Sequence, residues 1–188
     1  MKNAISLRSI SLSKRISFTA VFATLCCIST LLITVPLPAS GFFNTGDVFV
    51  LLAGWCLGPI YGVIAASVGS ALADIIIGYA LYAPATFIIK GFVAFIAYML
   101  ASFLQKLIKK DKLDFLSRAL SALVGEGVMV LGYFLFESIL YTFVGAIPNL
   151  LGNALQGGCC LVLATLLITA FRPIKSLRQF FPLLFNEK

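Results

Sequence analysis

Apolar runs that charge scarcely enters fill most of this chain, and that feature decides what it can fold into. Between residues 16 and 171, outside one polar connection at 106–118, the only charged side chains are Asp47, Asp74, Lys90, Glu126 and Glu137. Charged residues make up 11% of the sequence, against about 25% in a soluble domain. Uninterrupted apolar runs of this length are helical spans, because a bilayer leaves each backbone polar group to be satisfied within its own segment. Barrel strands would show alternating segments of about 10 residues, and the sequence has none. The chain is therefore expected to be an all-α integral membrane protein.

The runs divide into six expected spans, at 16–38, 47–57, 60–79, 84–107, 119–143 and 147–171, forming one transmembrane domain over residues 1–188. The first follows a short basic segment, and its length favours an uncleaved helix over a signal peptide. The second is too short to cross about 30 Å by itself; it starts earlier, tilts or is partly re-entrant, and Gly58-Pro59 ends it. Pro84 suits the first turn of the fourth. Thirteen of the fourteen Lys and Arg fall in three places: the first fifteen residues, Lys106 to Arg118, and the tail from Arg172. With six helices all three lie on one side, which the positive-inside rule makes the cytoplasm. Both termini are then cytoplasmic, and the loop after helix one, residues 39–46, faces outward. The net charge of +7 is explained by this topology, and no nucleic-acid partner is expected.

The chain has no histidine, which removes the usual general base and imidazole metal sites. Cys26, Cys27, Cys56, Cys159 and Cys160 lie in apolar runs without zinc or disulfide spacing and read as small packing residues. No P-loop motif is present. Neither a metal nor a cofactor is expected.

The charges inside the spans are the candidates for function, since each costs about 2.5–3.5 kcal/mol at a helix centre and so pairs or lines a cavity. Asp74 and Lys90 lie at matching depth on either side of the turn at 79–84 and are expected to form an ion pair that locks two helices, with Lys90 free to meet a ligand as well. Asp47, after Asn44 and Thr45, either caps its helix or touches a polar solute. Glu126, between Gly125 and Gly127, falls near mid-membrane. Tyr133, Glu137 and Tyr141 share a helix face, as do Asn149, Asn153 and Gln156. With Tyr82 and Thr86 above Lys90, these groups suggest a pocket in the outer half, with aromatic walls and few polar anchors. Ala65, Ala66, Ser67, Gly69, Ser70, Ala71 and Ala73 form a small-residue surface for close helix packing.

Phe43-Asn-Thr-Gly-Asp47, Leu52-Ala-Gly54, Gly58-Pro-Ile-Tyr-Gly62, Gly69-Ser-Ala-Leu-Ala-Asp74, Gly78-Tyr79, Tyr82-Ala-Pro84 and Ile89-Lys-Gly91 resemble the substrate-binding S components of energy-coupling factor (ECF) vitamin transporters. The likeness is dense over residues 43–91; elsewhere it rests on size, span count and charge layout. It implies a non-enzymatic six-helix bundle in a bacterial or archaeal-type plasma membrane. Such a bundle captures a vitamin from outside and works with a membrane coupling subunit and two cytoplasmic ATPases. It also implies that the loop at 39–46 gates the site and that helices four to six supply most ligand contacts. The substrate-binding set is then Asn44, Tyr82, Thr86, Lys90, Tyr133, Glu137, Tyr141, Asn149 and Asn153. Docking in the family uses an AxxxA-type surface on helix one, for which Ala20 to Thr24 is the nearest match here, with Ala23 beside them. Riboflavin, pyridoxine-type and hydroxymethylpyrimidine-type compounds all fit the pattern. Two other readings compete: a secondary carrier coupled to protons through Glu126, and an intramembrane enzyme using Asp47, Asp74 or Glu126 as acid or base.

Overall fold

The computed structural model describes residues 11–36, 42–108, 114–171 and 174. Most of the basic clusters (Lys2, Arg8, Lys109, Lys110, Lys112, Arg172, Lys175, Arg178 and Lys188) and part of the expected gating loop lie outside the described residues. The elements in chain order are α1 (Leu12–Leu32), β1 (Thr34–Pro36), β2 (Phe42–Asn44), α2 (Gly46–Ile77), α3 (Ala83–Ile108), α4 (Asp114–Tyr141) and α5 (Phe143–Phe171). All five helices are long and apolar enough to cross a membrane.

Two elements differ from the sequence expectation. The first span ends at Leu32 rather than 38, and the chain goes on as an antiparallel ribbon in which Thr34 pairs with Asn44, Val35 with Phe43 and Pro36 with Phe42. Ile33, Thr34 and Val35 are β-branched, and a residue before proline is pushed out of the helical region, so the helix gives way to strand.

The expected second and third spans are the two arms of one helix, α2, bent at Gly58. Gly58 has φ 83° and ψ −170°, a region essentially confined to glycine, and Pro59 cannot donate the hydrogen bond that would straighten the helix. The bend reverses the chain. A Cβ at Gly62 would fall on the Ala53 carbonyl and 3.0 Å from the Gly54 Cα, although residues nine apart in a straight helix stand about 13 Å apart. Both arms lie along α3: a Cβ at Gly54 would strike the Ala94 carbonyl, and one at Gly91 would meet Ser67 Oγ. The shorter arm, 46–57, spans about 18 Å, and its residues from Val50 to Gly58 are all buried.

α2 is the central element. Its best apolar window is 67% buried, against 17% for α1. The small residues of its second arm are buried as a set, and Gly69 lets the backbone of α1 approach at Ala23. Gly78, with φ 97°, closes the helix by donating to the Asp74 and Ile75 carbonyls, a left-handed cap. Thr142 joins α4 to α5 at φ 91°; its hydroxyl accepts from the Gly145 N–H at 3.3 Å and so caps α5. At the end of the bundle away from the ribbon, Arg118 is buried and pairs with Asp114 at 2.9 Å. Gln105 also donates to Asp114, and Trp55 Nε1 donates to Ser121 Oγ at 3.1 Å. Arg118, expected as part of a basic topology signal, thus packs inside the bundle.

Candidate functional site

The bend in α2 is what assembles the site. Along a straight helix Asp47 and Asp74 would stand about 40 Å apart. With the arms folded together, both carboxylates approach Lys90 of α3. Asp47, fully buried, takes the ammonium: Lys90 Nζ lies 2.6 Å from its Oδ1, with side-chain exposures of 4% and 0%. This corrects the expected Asp74–Lys90 pair. Sequence spacing matched the two groups in depth, but Gly54 seats the first arm on Ala94, one turn beyond Lys90, and directs the ammonium to Asp47. Asp47 is accordingly not a helix cap either; the start of α2 has no side-chain capping bond from Thr45. Asp74 stays out of the ion pair, and its Oδ2 has no partner among the described residues.

From Asp47 a buried polar relay crosses the bundle. Gln156 of α5 donates through Nε2 to Asp47 Oδ2 at 2.6 Å. Its Oε1 accepts from the Asn44 N–H at 2.8 Å and from Asn44 Nδ2 at 3.2 Å. Asn44 Oδ1 in turn accepts from the Gly46 N–H at 2.9 Å, with the Thr30 hydroxyl of α1 at 3.4 Å. The backbone N–H groups fix both amide orientations, since they can only donate. The relay joins α1, β2, α2, α3 and α5, and each member is buried.

Above the relay lies a cavity of about 30 Å³, on the order of two water molecules. Of the nine residues expected to bind substrate, the structure brings seven to its wall: Asn44, Tyr82, Thr86, Lys90, Tyr133, Glu137 and Asn153. Asn149 is fully buried one layer back, bonded to Glu137. Tyr141 is 43% exposed near the end of α4 and does not line the cavity. Five further residues complete the wall: Thr30, Phe42, Ser70, Asp74 and Gln156. Gln156 was visible in the amide stripe of the last span. Thr30, Phe42 and Ser70 carried no local signal; the ribbon and the α2 bend bring them in.

The wall divides into an aromatic roof and a polar floor. Phe42, Tyr79, Tyr82 and Phe136 form a chain of edge-to-face contacts with centroids 5.0, 5.8 and 5.3 Å apart, a geometry that the ring quadrupoles favour. The Lys90 ammonium stands 5.2 Å from the Tyr133 ring centroid, and the Tyr133 hydroxyl is 2.9 Å from Thr86 Oγ1. Tyr82 donates to Glu137 Oε1 at 3.4 Å. Ser70 Oγ, Asp74 Oδ2 and Glu137 Oε2 are buried lining atoms with no partner among the described residues. Such atoms are available to bond with whatever occupies the cavity, the carboxylate oxygens as acceptors and the hydroxyl as donor or acceptor. No group of three or more metal-binding side chains occurs among the described residues.

On α1, Ala20 and Thr24 share an exposed face, joined by the Thr24 hydroxyl bonding the Ala20 carbonyl at 2.9 Å. Ala23 turns inward and packs against the core, its carbonyl beside Gly69.

With this geometry in place, three likenesses bear on identity. The family described as "ECF-type riboflavin transporter, S component" matches residues 11–173. A protein of Pyrococcus woesei described as "Uncharacterized protein in gap 3'region" is 35% identical over 130 residues, covering 69% of this chain and 82% of that protein. The structure published as "Structure and mechanism of the S component of a bacterial ECF transporter" superposes with a TM-score of 0.69 at 19% identity, covering 87% of this chain and 98% of that one. At that identity the superposition shows the fold, while the match across residues 11–173 shows the family. The chain belongs to the family of ECF-type riboflavin transporter S components, membrane-spanning substrate-binding subunits rather than enzymes.

Proposed function

We propose that this protein is the high-affinity riboflavin-binding subunit of an ATP-driven ECF importer, and that the cavity between the ribbon, α2, α3, α4 and α5 is its vitamin site. The observation that carries the reading is the cavity wall itself. Tyr82, Tyr133 and Phe42 present ring surfaces for a flat heterocycle, and Ser70, Asp74 and Glu137 present buried acceptors with no partner among the described residues. A flavin ring stacks on the first set, and its ring N–H and ribityl hydroxyls donate to the second. Asn44, Thr86, Lys90 and Asn153 bound the same space, and Asn149 orients Glu137. A site for such a ligand needs some 300 Å³ or more, so binding widens the cavity. In this reading Phe42, carried on the two-stranded ribbon, is the roof side chain that moves aside.

In the bilayer the second arm of α2 and the other four helices cross, while the shorter arm enters part-way from the outer face, so that both termini lie on the cytoplasmic side and the ribbon outside. The exposed Ala20 and Thr24 of α1 are the docking face for a membrane coupling subunit, which two cytoplasmic ATPases drive; Ala23 supports that face from within.

The test is a titration of the purified chain with riboflavin, followed by quenching of flavin fluorescence, beside pyridoxine and hydroxymethylpyrimidine in competition. Saturable quenching at one site per chain supports the reading. Binding of a competitor but not riboflavin would overturn the vitamin and keep the subunit role; no binding by any of the three would overturn both.

A further inference from the structure

Glu126 is a buried acid that the cavity and the relay do not use. It sits on α4 at 3% exposure, and neither carboxyl oxygen has a hydrogen-bond partner among the described residues. The facing helix leaves it little room: a Cβ at Gly157 of α5 would lie 3.0 Å from Glu126 Cβ and 3.3 Å from its Oε2. The charged groups whose fields reach it are Asp47 from α2 and Lys90 from α3, and α5 adds the Cys160 thiol. Lys90 is already committed to Asp47 at 2.6 Å, so that pair carries no spare positive charge. An ionised Glu126 would then be a net negative charge in the middle of the bundle with no donor, which proteins avoid by neutralising the group. A metal cation would need about six oxygen ligands, and no cluster of three or more candidate ligands exists among the described residues.

We propose that Glu126 is a proton-binding site, holding one proton from solvent as a neutral carboxylic acid at the α4–α5 seam. The neutral acid packs flush on Gly157. The carboxylate would have to draw water into the seam or pull Lys90 off Asp47, which would break the relay to Gln156. This holds whichever substrate the cavity takes.

Infrared spectroscopy of the full chain in detergent tests it, comparing wild type with Glu126→Gln and Glu126→Met at neutral and alkaline pH. The expected wild-type spectrum shows the carbonyl stretch of a buried protonated acid at neutral pH, absent from both variants. Both variants should fold and melt within about 4 °C of wild type, because each is a neutral replacement of similar length. A wild-type spectrum without that band, or a band that survives in Glu126→Gln, overturns the proposal. So does failure of both neutral variants to fold, which would mean that the negative charge itself is required. A rise in melting temperature with sodium but not choline, lost in Glu126→Gln, would assign a bound metal cation instead.

Discussion

Replacing Lys90 with Met tests the central feature of the site, the buried ion pair between Lys90 and Asp47. The pair it forms with Asp47 is 2.6 Å long, with side chains 4% and 0% exposed. At an effective dielectric of about 20, charges at that distance attract by about 6 kcal/mol, against a desolvation cost of several kcal/mol per ion. Lys90→Met removes the attraction and leaves Asp47 with the Gln156 amide as its side-chain donor. Breaking one side of a buried pair costs about 3–5 kcal/mol. The expected loss is thus about 3–5 kcal/mol, or about 6–20 °C in melting temperature for a chain of this size. Asp47→Asn/Lys90→Met should recover most of it, because the amide carbonyl introduced at position 47 still accepts from Gln156 and no charge is left unpaired. Asp74→Asn/Lys90→Met should recover little. Thermal unfolding of the wild type, Lys90→Met and the two double variants in one detergent gives the coupling energies directly. Rescue by Asp74→Asn instead of Asp47→Asn would refute the pairing and restore the partner that sequence depth suggested.

Three further outcomes follow from other parts of the structure. Gln156→Met keeps the volume but strips donors and acceptor from Asp47 and Asn44, each bond being worth about 1–3 kcal/mol when its partner is left buried; a loss of about 2–4 kcal/mol in chemical denaturation is expected. Gly58→Ala places a Cβ on a backbone at φ 83° and ψ −170° and should cost about 1–3 kcal/mol; an unchanged melting temperature would mean that the bend is not fixed there. Phe42→Ala opens the aromatic roof and should speed vitamin release several-fold in stopped-flow fluorescence, while leaving the melting temperature of the ligand-free protein within about 4 °C.

Much of the fold was legible because bilayer physics acts on single segments. Apolar length located α3 and α5 to within a few residues, Pro84 marked the start of α3, and the small residues of the second α2 arm announced its burial. What could not be read locally was where helices stop for reasons other than polarity. Ile33-Thr-Val-Pro36 is as apolar as the helix before it, so hydropathy carried the span through to 38; the ribbon forms because those side chains are β-branched and precede proline, and because Phe42–Asn44 is there to pair with them. In the sequence Gly58-Pro59 reads as a stop, yet what it builds is a reversal that keeps both arms against α3. A stop and a reversal look alike in sequence, because the difference lies in the sign of φ at one glycine.

The site shows the same limit in sharper form. Helical spacing placed Tyr133 with Glu137 and Asn149 with Asn153 and Gln156, and depth counted from the outer turn placed Lys90 level with Asp74. Those counts are one-dimensional, and they were good enough to bring seven of nine expected residues to one cavity. Choosing between two carboxylates for one lysine needs the rotation of each helix about its axis, which depends on which backbones touch. Here that is decided by contacts without side-chain chemistry, Gly54 on Ala94 and Gly62 on Ala53. The result is a division of labour among the acids. Asp47 neutralises Lys90 and anchors the relay that ties the ribbon to α5. Asp74 and Glu137 are left to present free oxygens to the cavity. Were Lys90 paired with Asp74 instead, Asp47 would be a buried charge facing only an amide, and the cavity would lose one of its two free carboxyl edges. The close glycine contacts of α2 therefore do more than pack helices: they determine which acids remain available to a ligand.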